Sequence, residues 1–446
     1  GVLMDSGGQN ISPLLKSKRF YIVVLLFFNI VINYIDRINL SVAAPLIAKQ
    51  FHWDPGRMGI IFSSFLWTYA VALIPCGWLA DKLGSRRVNS GAITIWSIGA
   101  MLTGAITGFG NMIAARLVLG AGEAASYPVA GKVVRQWFPA SERGVATAIF
   151  NAGAYAGPAV ATPLVAWIVL QAGWRPSFII LGALGFVWLI FWIKWFRVPE
   201  ECTWLSPEEK DYIISHRDNQ PAKASGSQQL KVSVTRLLAQ KSMWGLAITQ
   251  GCAVYTQYLF LTWLPSYLVQ ARGMRLAKAG IFAALPFFVA VVLGILIGKI
   301  SDKVLDAEKM KKGNRRIAVI TFMLFSSVVL VTNMIQNELA VLALISISLT
   351  SISSAITLNF ALANDLISEP RVTGTVIGTQ VLGGNLFGLT APIITGFIVK
   401  ATGSFNSAFI LAGALLIFGA LVSFTLTRKS ITYDIEGPRA TAAGVD

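Results

Sequence analysis

The sequence predicts an all-α membrane protein: twelve transmembrane helices in two six-helix bundles with a central cavity. Three observations predict it. The 446 residues are 55% hydrophobic and only 13% charged, which would leave a water-soluble chain with a large exposed apolar surface. Apolar runs of roughly 20 residues, the length that crosses about 30 Å of hydrocarbon as a helix, recur from end to end. The second half also repeats landmarks of the first. Gly77-Trp-Leu-Ala-Asp81-Lys82 matches Gly298-Lys-Ile-Ser-Asp302-Lys303, and Pro45 matches Pro265, at offsets of 221 and 220 residues. Two parallel repeats related by an axis along the membrane normal place a binding site at their interface near the midplane.

In order, the spans are expected near residues 20–44, 58–80, 88–107, 110–134, 143–170 and 177–197, then 243–268, 278–299, 316–335, 338–363, 373–400 and 406–427. The divisions follow: a tail over 1–19, a bundle over 20–197, a linker over 198–242, a second bundle over 243–427 and a tail over 428–446. The first run could pass for a secretory signal. Asn29 and Asn33 interrupt it, Asp36 and Arg37 follow, and no small-residue cleavage site closes it, so it is expected to be retained as a span. The linker combines Pro207-Glu208-Glu209-Lys210-Asp211, which suits an amphipathic helix, with a low-complexity stretch over 222–229.

A net charge of +16 would suggest nucleic acid in a soluble protein, but here the basic residues crowd into loops of one parity. With a cytoplasmic amino terminus, roughly 28 Lys and Arg fall on the cytoplasmic side and about 7 outside. Both termini and the linker are therefore expected in the cytoplasm, with no nucleic-acid partner. Cys76, Cys202 and Cys252 are isolated and no Cys/His cluster accompanies them, so neither disulfides nor a metal are indicated. No nucleophile or paired-base constellation appears, which argues against an enzyme. His52 and His216 fall outside the spans and read as surface residues.

Charged residues inside spans carry the sharpest information, because a charge at the bilayer centre costs from about 2.5 to well over 10 kcal/mol. Asp36 and Arg37 lie in the first span, where Asn29, Asn33 and Asp36 share a face that is expected to line a cavity. Arg116 and Glu123 lie seven apart on one face of the fourth span, a helix softened by Gly120 and Gly122. Arginine keeps its charge and presents a planar fork, so Arg37 is the candidate ligand for a substrate anion and Arg116 the charge partner of an acid. Asp36 and Glu123 are the candidates for gaining and losing a proton. The repeat offset maps Asp36 and Arg37 onto Thr256 and Gln257, so the second half has lost the charges. It offers Gln257, Asn359 and Asn385 as hydrogen-bonding groups, and Tyr34, Tyr69, Tyr155 and Tyr258 are further cavity candidates.

The loop from Gly77 to Arg87 joins small residues, one acid and a basic cluster. It resembles the signature loop between spans two and three of the major facilitator superfamily. That resemblance implies that Asp81, with Arg86, Arg87 and the repeated Asp302, gates the cytoplasmic side. Within that superfamily the chain resembles the anion:cation symporters, which include bacterial sugar-acid transporters and animal vesicular glutamate and sialic acid transporters. The matching segments are Asn33-Tyr-Ile-Asp36-Arg37-Ile-Asn39-Leu40, Phe62-Ser-Ser-Phe-Leu-Trp67-Thr-Tyr69, Arg116-Leu-Val-Leu-Gly120-Ala-Gly122-Glu123-Ala-Ala-Ser-Tyr-Pro128, Trp137-Phe138-Pro139-Ala-Ser-Glu142-Arg143 and Thr262-Trp263-Leu264-Pro265. The resemblance implies proton-coupling roles for Asp36 and Glu123, carboxylate binding by Arg37, and pairing of Arg116 with the acids. Several sugar-acid transporters carry a glutamine in the fifth span near Ala154, where this chain has Asn151-Ala-Gly-Ala154-Tyr155, so the resemblance implies one polyol contact fewer.

The expected function is proton-coupled uptake, by alternating access, of a small organic anion such as an aldonate, uronate or aldarate. The alternatives are another organic anion, a dicarboxylate or an aromatic carboxylate, or anion exchange; a transporter-like sensor is a further class, against which the short linker argues. No cofactor is expected beyond the coupling proton, and a monomer in the lipid bilayer is the expected assembly. Short outside loops without a glycosylation acceptor point to a bacterial inner membrane.

Overall fold

The computed structural model describes residues 17–217, 234–304, 314–368 and 373–432. The first bundle comprises α1 (Phe20–Phe51), α2 (Pro55–Leu83), α3 (Ser85–Gly104), α4 (Phe109–Glu123), α5 (Ser126–Trp137), α6 (Ala140–Ala172) and α7 (Trp174–Trp195). The linker carries α8 (Pro207–His216) and α9 (Val234–Leu238). The second bundle comprises α10 (Lys241–Gln270), α11 (Leu276–Val304), α12 (Asn314–Ser326), α13 (Glu338–Leu366), α14 (Thr373–Thr402) and α15 (Asn406–Leu426). Taking α4 and α5 as one span gives twelve, six in each half. Among the described residues nine helical segments are long and apolar enough to cross a membrane by themselves. The others are α3, the α4–α5 pair and α10. In α10 nearly every side chain is buried against protein, so polar residues are tolerated that a lipid-facing helix would exclude.

Three expected spans differ in detail. The first does not stop at residue 44 but runs through Pro45 to Phe51, where His52 turns into the left-handed region at φ 53° and its backbone N–H caps the Ala48 carbonyl. The fourth is broken into α4 and α5. In the ninth, α12 gives way to a 3₁₀ segment over Ser327–Met334.

The two halves meet most closely at one end of the bundles. There α2 lies against α14, α6 against α11 and α1 against α10. At Gly59 any side chain would collide with the Pro392 carbonyl, and at Gly396 with the Pro55 carbonyl, so main chain meets main chain. Ser63 Oγ donates to Leu389 O (2.6 Å), Ser41 Oγ donates to Leu261 O (2.7 Å), and the Phe62 and Trp263 rings meet edge to face at 5.1 Å. Asp54 closes the outside of this seam. Its Oδ1 accepts from the Arg57 backbone N–H (3.0 Å) at the start of α2, and its Oδ2 lies 3.1 Å from Lys400 Nζ in α14. The Arg57 N–H foremost, with the Lys400 ammonium, holds this carboxyl below its usual value of 3.8 against the opposing effect of burial. A depressed carboxyl keeps its pairing above that value and loses it only as pH falls through the lowered one. The Asp54–Lys400 contact therefore stays ionised at neutral and mildly acidic pH, and a pH response there must arise elsewhere. Toward the other end of α2, Val71, Ile74 and Trp78 are exposed. The described residues thus close the seam at the Asp54 end.

Candidate functional site

The site is built where α4 ends. Gly120 lies directly against the Phe65 carbonyl of α2, where a side chain would collide, and Thr68 Oγ1 donates to Leu117 O at 2.7 Å. These contacts seat the last turn of α4 in the bundle core. The helix then breaks at Ala124 and Ala125, and the sequence explains the break through Pro128: with no N–H it cannot bond the Ala124 carbonyl, but it is accommodated in the first turn of α5. Glu123 is thus the last residue of α4, fully buried, beside α1.

There it meets Arg37. Both Nε and Nη2 of Arg37 lie 2.8 Å from Glu123 Oε2, with Nε aligned to donate. The guanidinium lies on aromatic faces, 4.6 Å from the Tyr34 ring centre, 4.9 Å from Phe65 and 5.3 Å from Tyr69. Arg116, expected from sequence as the acid's partner, makes no hydrogen bond to a carboxylate among the described residues; its guanidinium lies 5.3 Å from the Phe65 ring centre. It interacts electrostatically with both Glu123 and Asp36, and for Glu123 the lack of direct contact follows from helical geometry. Residues seven apart share a face but stand two turns, about 10 Å, from each other, whereas partners three or four apart touch. Asp36 is buried with neither carboxylate oxygen hydrogen-bonded, and the Asn33 side chain is likewise unpartnered. Their stripe on α1 was expected to line a cavity. Instead it is buried within the first bundle, where Asp36 lies near Glu123 and Arg116 of the fourth span.

The other candidates divide. Gln257 Nε2 donates to Tyr155 OH at 2.9 Å, which ties α10 to α6 across the two halves. Tyr258 is buried on α10 near Arg37 and packs against Gly388 of α14. Asn359 is not brought to this group: its Nδ2 donates to Leu246 O and Gln250 Oε1, both at 3.0 Å, inside the second bundle. Asn385 is half-buried on α14. Of the gating candidates, Asp81 lies 3.2 Å from Lys132 Nζ of α5, within its own half. Arg86 donates to Ile193 O of α7 at 2.7 Å, Arg87 is exposed, and the Asp302 side chain lies outside the described residues. Sequence reasoning missed Phe65, which flanks both arginines, and Tyr127, which reaches Tyr34 from α5. Phe65 could have been found four residues before Tyr69, on the same face of α2. Tyr127 could not, since its direction depends on the break after Glu123.

The chain matches relatives along almost its whole length. It is 34% identical over 432 residues, 94% of this chain and 96% of the other, to the probable galactarate/D-glucarate transporter GudP of Escherichia coli. It is 30% identical over 411 residues, 91% and 94%, to a D-galactonate transporter of another E. coli strain, and 33% identical over 407 residues, 90% and 91%, to the probable sulfoacetate transporter SauU of Cupriavidus necator. Among solved structures, an inward-facing, occupied bacterial homologue of the human lysosomal transporter Spinster superposes with a TM-score of 0.71 at 16% identity, covering 92% of this chain and 97% of that one. That likeness carries the fold. The family model described as Major Facilitator Superfamily matches residues 26–379, and with these full-length relatives it makes the chain a multi-pass membrane transporter, not an enzyme: the protein belongs to the Major Facilitator Superfamily.

Proposed function

We propose that this protein is a proton-coupled symporter that takes up sugar acids, aldarates or aldonates foremost, across a bacterial inner membrane. The observation that carries the reading is the Arg37–Glu123 pair, buried at the aromatic centre between the halves. An incoming carboxylate and Glu123 compete for one guanidinium. Glu123 yields it at low cost only by taking a proton, because a carboxylate left unpaired in that setting is strongly disfavoured. Substrate anion and proton then bind together, and Asp36, unpartnered beside them, is the second exchange site. Gln257 and Tyr258 supply hydrogen-bonding groups for hydroxyls from the opposite wall, and Tyr155 supplies one from α6. The names of the relatives support the substrate class. Sulfoacetate, carried by one relative's name, is the second reading.

Uptake into proteoliposomes tests this with labelled galactarate, glucarate, galactonate and sulfoacetate, each with and without an inward proton gradient. At least one sugar acid is expected to accumulate only with the gradient; uptake that ignores the gradient and requires vesicles preloaded with an organic anion makes the protein an exchanger. In this reading the termini, the linker and the Asp81 end of α2 are cytoplasmic. A cysteine placed at the exposed Glu208 of α8, in a background with Cys76, Cys202 and Cys252 replaced by serine, is therefore expected to react with an impermeant maleimide only in inside-out vesicles. Labelling from the periplasmic face reverses the orientation.

A further inference from the structure

Away from the transport site, a groove of about 470 Å³ opens at the membrane edge where α1 begins and α7 ends. Tyr21, Val24 and Leu25 of α1, Trp195 of α7 and Trp204 of the linker line it, and Lys18 is its charged residue. The volume lies within the roughly 300–1,000 Å³ of sites that bind small molecules. Trp204 is fixed on several sides. Its Nε1 donates to Trp195 O (3.1 Å), its ring stacks on Trp137 at 5.5 Å and meets Tyr21 edge to face at 6.3 Å, and its carbonyl accepts from Lys18 Nζ at 3.1 Å. Behind it, Arg19 holds Glu142 at 2.7 Å, and its backbone N–H donates to Glu209 of α8 at 3.1 Å. The linker thus forms one wall of the groove.

The lining chemistry selects the occupant. Tyr21 and Trp195 are exposed, and further along the same helices so are Phe28, Ile190 and Phe191, so the groove runs into the lipid-facing belt. Aromatic residues at this level mark the boundary between headgroups and acyl chains. The Lys18 ammonium has three donors, of which the Trp204 carbonyl uses one. Lys194, beside Trp195 in the last turn of α7, is exposed at the same edge.

We propose that this groove holds an anionic glycerophospholipid, its acyl chain against Tyr21, Val24, Leu25 and Trp204 and its phosphate against the Lys18 and Lys194 ammonium groups, so that lipid clamps the linker to the first bundle. Native mass spectrometry of the full-length protein tests it, titrating phosphatidylglycerol and phosphatidylcholine with identical acyl chains alongside thermal melts in each lipid. Wild type is expected to retain one phosphatidylglycerol with a preference of about fivefold per lysine, and to melt higher in that lipid. The double variant Lys18→Gln, Lys194→Gln should lose the preference yet still retain either lipid. Val24→Trp should fill the groove and abolish retention of both, with a melt in phosphatidylcholine like that of wild type. Equal retention of the two lipids by wild type, or a preference that survives in the double variant, overturns the proposal. So does an equal rise in melting temperature with inorganic phosphate alone, which would make this an anion site.

Discussion

Glu123→Gln is expected to abolish gradient-driven accumulation while leaving substrate binding intact. In the structure Glu123 is the buried counter-ion of Arg37, and glutamine is the neutral stand-in for its protonated form. The variant keeps an acceptor oxygen near Nε but cannot reclaim the guanidinium from a bound carboxylate, so the step that ties proton release to substrate release is lost. With one pH unit imposed across the membrane, each coupled proton can support about tenfold accumulation. The variant should reach an inside-to-outside ratio of about one, while counterflow exchange between equal pools on the same vesicles continues. Asp36→Asn should also fall to about one, with more damage to binding because Arg37 adjoins it. Full accumulation by Glu123→Gln would shift coupling to Asp36 alone.

The second large effect is expected from Arg37→Lys. Lysine keeps the charge and can still meet Glu123, so the fold should survive with little change in melting temperature. What it loses is the planar fork and its seating on Tyr34, Phe65 and Tyr69. A charge-assisted hydrogen bond contributes about 1.5–3 kcal/mol, so calorimetry should show substrate affinity falling roughly 10- to 150-fold. Unchanged affinity would make Arg37 a structural residue and place the anion elsewhere. Arg116 would not be the natural replacement, since it is buried behind Phe65 in the first bundle.

Charge placement, periodicity and the internal repeat were enough to read the twelve spans and the two halves, and lipid makes every buried charge conspicuous. The pairing itself was hidden. Arg37 and Glu123 are 86 residues apart, and helix periodicity reports only which residues of one helix share a side, not which neighbour that side meets. The same limit explains Asn359, polar and mid-span, whose partner Gln250 belongs to its own bundle. The polar stripe of Asn29, Asn33 and Asp36 failed for a different reason: a polar face on a membrane helix must avoid lipid, but a bundle interior satisfies that as well as a cavity does. The break after Glu123 was legible in principle through Pro128, yet only the backbone shows how it turns Tyr127 toward Tyr34.

The seam at Gly59 and Gly396 bears on how such a protein can change over evolutionary time. Where carbonyls meet α-carbons, the seal asks its sequence only for the absence of a side chain at two positions, and that part of it is indifferent to what lines the rest of the interface. If Gln257 and Tyr258 contact cargo as proposed, they can be exchanged without retuning those main-chain contacts, whereas Gly59→Ala or Gly396→Ala is expected to disrupt the closure whatever the cargo.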